Sequence, residues 1–158
     1  MFARLIYLSV LLGSMTLLGL GMYLQHALHL ESCSLSVLVR YALVFTALFA
    51  VFAVAIDAGK LFRVAMSACI GVVSLLGAAL AAQQSWPRLL PVNLGALGLD
   101  LSSVARSLPL SDVMPKFFLV TGACDNARWK LIGIAGSEWA VLAFVAFIVA
   151  ALLAARRP

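Results

Sequence analysis

The sequence predicts an all-α protein, a four-transmembrane-helix bundle with a long outer loop carrying short membrane-surface helices. Three observations predict it. Four apolar stretches, at 5–24, 37–56, 64–82 and 139–155, are each close to the roughly 20 residues that cross a hydrocarbon layer about 30 Å thick. Hydrophobic residues form 65% of the chain and charged residues 11%, with mean hydropathy +1.12, whereas an average soluble domain is about half apolar and a quarter charged. Lipid offers backbone polar groups no partner, so spanning segments of this composition must be helices. A soluble core could hide one such run, but four in 158 residues would leave no polar shell to cover them. The length suits one integral membrane domain, 1–158.

The first stretch, Leu5 to Leu24, carries no charged side chain. Arg4 before it would also suit a signal peptide, but Tyr23-Leu24-Gln25-His26 follows where a small-residue cleavage site would stand, so the helix is retained. A short outer connection, 25–36, leads to the second stretch, which only Arg40 interrupts. Lys60 and Arg63 precede the third, which holds Cys69. The long outer loop, 83–138, opens on Trp86, Pro87 and Pro91, then Gly95 to Gly98, a turn-and-coil pattern. Leu101 to Leu108 has apolar residues three and four apart, and Val113 to Val120 is apolar enough to lie on the bilayer surface. The fourth stretch starts at Trp139, and Ile132 to Ala135 could prolong it only by crossing Glu138. Trp86, Trp129 and Trp139 fall near predicted helix ends, where interfacial tryptophans gather.

Charge sets the orientation. Arg4, Lys60, Arg63, Arg156 and Arg157 all fall on one side of an even number of spans, which makes that side and both termini cytoplasmic. The expected location is a bacterial inner membrane, multi-pass. The long loop carries five basic residues against this rule, but segments of its length weigh less. The net charge of +5 is thus topology control and solvated loop charge, not a nucleic-acid surface. No metal constellation stands out, since His26 and His29 read as a solvated loop face. A pore or transporter is disfavoured, because Arg40 is the only charge inside a predicted span.

Chemistry then rests on the interruptions. Cys69, within an apolar run, reads as a small packing residue. Cys33 and Cys124 lie in the outer connections, where disulfides persist, and one structural staple between loops would account for both. A helix beginning near Cys33 would carry Ser36 and Arg40 on the same face, with Arg40 about 10 Å further along the axis. A guanidinium at that depth either snorkels to the headgroups or meets a polar partner. In the second case it could hold an oxygen-bearing ligand and favour thiolate at Cys33.

The stretch Leu24-Gln25-His26-Ala27-Leu28-His29-Leu30-Glu31-Ser32-Cys33-Ser34-Leu35-Ser36-Val37-Leu38-Val39-Arg40 resembles the first outer loop of the DsbB family, the bacterial disulfide bond formation proteins B. That family has there a helix end, a Gln or Glu, a Pro-Cys-x-x-Cys motif and an arginine four residues on. Leu108-Pro109-Leu110-Ser111-Asp112, then Phe117-Phe118, Gly122-Ala123-Cys124 and Trp129, is similar to the end of its second outer loop. The resemblance implies a thiol:quinone oxidoreductase that reoxidises a periplasmic DsbA-type thiol oxidase and passes two electrons to ubiquinone or menaquinone. It implies Cys33 and Cys124 as redox cysteines and Arg40 as the quinone contact.

The chain also departs from that pattern. Ser36 stands at the second position of the Cys-x-x-Cys motif and Ser32 replaces its proline. The first cysteine of the long loop is expected near Leu97, yet no cysteine occurs from Ile70 to Ala123. Each family pair has lost one member, and serine forms no disulfide. Three accounts fit: a variant with replaced cysteines, a paralogue that keeps the fold without the relay, or a single couple of Cys33 with Cys124. A non-enzymatic protein with a quinone or lipid pocket, and a structural bundle stapled by that disulfide, stand as alternatives to an impaired oxidoreductase.

Overall fold

A computed structural model describes residues 2–28, 34–56, 59–85, 103, 107, 109, 113, 115–118, 130–131 and 134–156. Four long helices carry the fold: α1 (Phe2–Leu28), α2 (Ser34–Ala55), α3 (Lys60–Ser85) and α5 (Gly136–Arg156). Each is long and apolar enough to cross a membrane. Between α3 and α5 come one helical turn, α4 (Pro115–Phe118), and a two-residue hairpin of β1 (Lys130–Leu131) and β2 (Ile134–Ala135). The hairpin pairs Lys130 with Ala135 and Leu131 with Ile134, and β2 runs straight into α5. Of the short surface helices expected within 101–108 and 113–120, only the α4 turn forms an element among the described residues.

The helices are longer than the apolar runs that predict them. α3 takes in Lys60 and Arg63 at its start and Gln83, Gln84 and Ser85 at its end. Backbone hydrogen bonding continues into the headgroup zone, where long side chains reach water. α5 does cross Glu138, which stands in its first turn, where the helix dipole favours an acid. Gly59 makes the reversal before α3, with φ +91, and its carbonyl accepts the Arg63 N–H at 3.2 Å.

α2 packs between α1 and α3, and α5 closes the ring against the same two helices. Small residues set how closely they approach. A Cβ at Gly77 would lie 2.6 Å from Phe144 Cε1, and one at Gly13 would lie 3.0 Å from Phe147 Cε1. α5 therefore sets one ring into a notch on α3 and the next into a notch on α1. The two rings meet edge to face, with centroids 6.2 Å apart at 88°. Without a hydrophobic drive in lipid, such close packing is what holds helices together.

Hydroxyls in the interior are largely satisfied locally. Ser14 donates to the Val10 carbonyl and Thr46 to the Ala42 carbonyl, each at 2.8 Å, so both can be fully buried. Ser74 Oγ, also fully buried, has no hydrogen-bond partner among the described residues. At the end of the bundle near the α2–α3 reversal, the buried Tyr7 hydroxyl lies 2.8 Å from Ser67 Oγ and donates to the Arg63 carbonyl at 3.3 Å. This ties α1 to α3 across the bundle.

Candidate functional site

The opposite end of the bundle gathers the last turns of α1 and α3 and the first turns of α2 and α5. Ser85 of α3 and Ser137 of α5 are joined there by a 2.7 Å hydroxyl hydrogen bond. α2 begins at Ser34, so Ser36 and Arg40 do fall one turn apart on one face, as a helix starting near Cys33 requires. Arg40 sits about 9 Å along the axis from the start of the helix. Ser36 and Arg40 are both half-buried, so the guanidinium is not on the fully lipid-exposed side. Beside them on α2, Val37 and Tyr41 are buried.

What buries them comes from far along the chain. Phe118 of α4 joins Val37 and Tyr41 in a small core, with Met22 of α1 packed against it. The Tyr41 and Phe118 rings lie 5.0 Å apart at 58°. The stretch containing Phe118 is apolar enough for the bilayer surface, yet this ring is spent on protein, while Val113 is 76% exposed. No sequence signal pairs residue 118 with residue 41; only the apolar run from Phe117 to Val120 shows that some apolar surface must receive it.

The polar groups on this face of α2 are donors: a guanidinium and, one turn before it, a hydroxyl. Arg40 carries a fixed positive charge and Ser36 can give or accept a hydrogen bond. Cys33 and Cys124, the expected redox cysteines, and Leu97, at the expected third position, lie outside the described residues. Cys69 of α3 is half-buried with a free thiol, as a packing residue would be. No group of three or more metal-ligating side chains occurs among the described residues.

Comparison with known proteins bears on the whole chain. The family model for disulfide bond formation protein DsbB matches residues 3–154, which takes in all four long helices. A disulfide bond formation protein B from Aromatoleum aromaticum is 33% identical over 150 residues, 95% of this chain and 90% of the relative. One from a Polaromonas species (strain JS666) is 34% identical over 145 residues, covering 91% of this chain and 85% of the relative. Another, from an Azoarcus species (strain BH72), is 32% identical over 152 residues, 96% of this chain and 89% of the relative. With four spanning helices and matches that run nearly from end to end, the chain belongs to the DsbB family of disulfide bond formation proteins.

Proposed function

We propose that this chain is a quinone-linked thiol oxidoreductase of the bacterial inner membrane that reoxidises a periplasmic DsbA-type thiol oxidase, with its relay reduced to one couple, Cys33 with Cys124. The observation that supports it is the half-buried Arg40, one turn from Ser36 on the face that adjoins the aromatic cluster. Family membership supplies the reaction class. Ubiquinone or menaquinone, when bound, supplies a sink for two electrons and two protons.

The chain's own part has two stages. A thiolate of the reduced partner attacks the Cys33–Cys124 disulfide, forming a mixed disulfide and freeing one cysteine. The partner's second thiolate then displaces the other, so the partner leaves oxidised and both cysteines are thiols. Reoxidation takes two electrons and two protons from those thiols to the bound acceptor and reforms the S–S bond. Arg40 is the residue that would hold the acceptor, by donating to one of its carbonyl oxygens near the start of α2, close in sequence to Cys33. Val37, Tyr41 and Phe118, packed together beside that turn of α2, would give the acceptor an apolar neighbour. With one couple in place of two, partner exchange and acceptor reduction compete for the same sulfurs, so turnover is lower than a four-cysteine relay permits.

A second reading draws on Ser36 itself. A serine at the position next to the acceptor leaves no dithiol there, which favours a bundle that binds quinone or lipid without turnover. Quinone absorbance separates the two readings, followed with the purified chain, reduced thiol oxidase and ubiquinone. The oxidoreductase loses quinone absorbance with time, and Cys33→Ala or Cys124→Ala abolishes the loss. No turnover by the parent chain, or turnover unaffected by either replacement, would refute the couple.

A further inference from the structure

The end of the bundle far from Arg40 collects positive charge. Arg4 stands in the first turn of α1, Lys60 and Arg63 open α3, and Arg156 closes α5. In the sequence, the segments that meet there hold these four residues, Arg157 and a single acid, Asp57. Glu138, the only carboxylate among the described residues, lies at the other end.

Two of the cations come from helices that are tied together. Tyr7 of α1 is buried, lies 2.8 Å from Ser67 Oγ and donates to the Arg63 carbonyl at 3.3 Å. That tie holds the starts of α1 and α3 one phenol's length apart. Arg4, three residues before Tyr7, and Lys60, three before Arg63, share a helix side with the residues that make it. Each lies about 4.5 Å nearer the end. Arg63 is half-buried, whereas Arg4 and Lys60 are exposed, so a partly sheltered guanidinium sits between two open cations.

Exposed apolar side chains adjoin these charges. Leu5, next to Arg4, is 56% exposed, and Leu61, between Lys60 and Arg63, is 84% exposed. Charge alone would suffice to orient the chain. Charge beside outward-facing leucine matches an amphiphile, a phosphate with hydrocarbon attached. A guanidinium can grip a phosphate through two parallel hydrogen bonds, and lysine adds a point charge beside it. Basic recesses between spanning helices are where anionic head groups settle. We propose that this end binds one anionic phospholipid, its phosphodiester held by Arg4 and Arg63 with Lys60 alongside, and its acyl chains against Leu5 and Leu61. The lipid adds a second link between α1 and α3 beside the Tyr7 tie, and its binding is independent of the redox reading.

The test gives the full chain, purified in a neutral detergent, an equal mixture of phosphatidylglycerol and phosphatidylcholine with the same acyl chains. Native mass spectrometry reads which lipid the protein retains. Phosphatidylglycerol should be preferred, at about one molecule per chain. Each cation near an anionic head group is worth about fivefold, so Arg63→Gln should lower the preference about fivefold, and Arg4→Gln with Arg63→Gln should leave almost none. Lys130→Gln removes the same charge at the other end and should leave the preference unchanged. Inorganic phosphate in excess should not displace the lipid. In the parent chain, which needs no variant to fold, about 0.5 M salt should abolish the preference, because the screening length falls well below 10 Å. Equal retention of the two lipids, a preference that survives this salt, or one that Lys130→Gln lowers as much as Arg63→Gln would each overturn the site. Displacement by inorganic phosphate would overturn the lipid as its occupant.

Discussion

Gly77→Ala is expected to loosen the bundle, although alanine is the better helix former. A Cβ there would lie 2.6 Å from Phe144 Cε1 and 2.8 Å from Cε2, with Cζ nearer still. Carbon atoms attract best at about 3.5–4.0 Å, so the ring must retreat by about 1 Å. Phe144 is wholly buried and packs edge-on against Phe147, which already fills the Gly13 notch. The strain therefore passes into the seam between α1 and α5. Overpacking of this kind costs about 1–3 kcal/mol. The gain in helix propensity is at most about 1 kcal/mol, and a spanning helix that stays helical when the bundle opens realises little of it. A net loss of about 1–2 kcal/mol follows. Gly71, on the same helix, has nothing within 4 Å of its would-be Cβ, so Gly71→Ala is the matched control and should be neutral or stabilising. The assay is unfolding in mixed nonionic and dodecyl sulfate micelles, read as the shift in midpoint. Phe144→Leu makes room for the new methyl, so the double replacement should show favourable coupling. If Gly77→Ala raises the midpoint as much as Gly71→Ala, or the pair shows no coupling, the notch does not hold α5 in place.

Three further outcomes are expected. Tyr7→Phe removes the hydroxyl that ties α1 to Ser67 and the Arg63 carbonyl, and should lower stability by about 0.5–1.5 kcal/mol; a double-mutant cycle with Ser67→Ala should recover part of that as coupling, and additive effects would contradict the bond. Arg40→Ala should weaken ubiquinone binding at least tenfold by titration, with Arg40→Lys intermediate because it keeps charge but not the planar fork; unchanged affinity for both would remove Arg40 from the site. Ser36→Cys with Leu97→Cys restores both family pairs and should raise quinone-reduction turnover well above the parent, whereas a purely structural bundle gains nothing.

Much of the fold is legible in the sequence because lipid leaves so few choices. A run such as Leu5 to Leu24 without charge has only the helix available, and the observed helices differ from the apolar runs mainly at polar ends. Those ends were harder to read because hydropathy detects the hydrocarbon zone, while hydrogen bonding carries the helix past it. The site was legible in part. The spacing of Ser36 and Arg40 follows from helical periodicity once α2 starts at Ser34. The burial of Val37 and Tyr41 by Phe118 was not, since nothing local distinguishes a ring bound for lipid from one bound for another helix.

The sequence by itself determined that there are four membrane-spanning helices, where each lies, and that Arg40 stands near the start of the second, since hydropathy and helical period are properties of consecutive residues. Tertiary structure alone decided which faces meet. It seats Phe144 and Phe147 at Gly77 and Gly13, and it brings Phe118 back over Val37 and Tyr41 of α2. Packing depends on the shapes of side chains distant in sequence, and in a chain this uniformly apolar no change of composition marks the surfaces that fit.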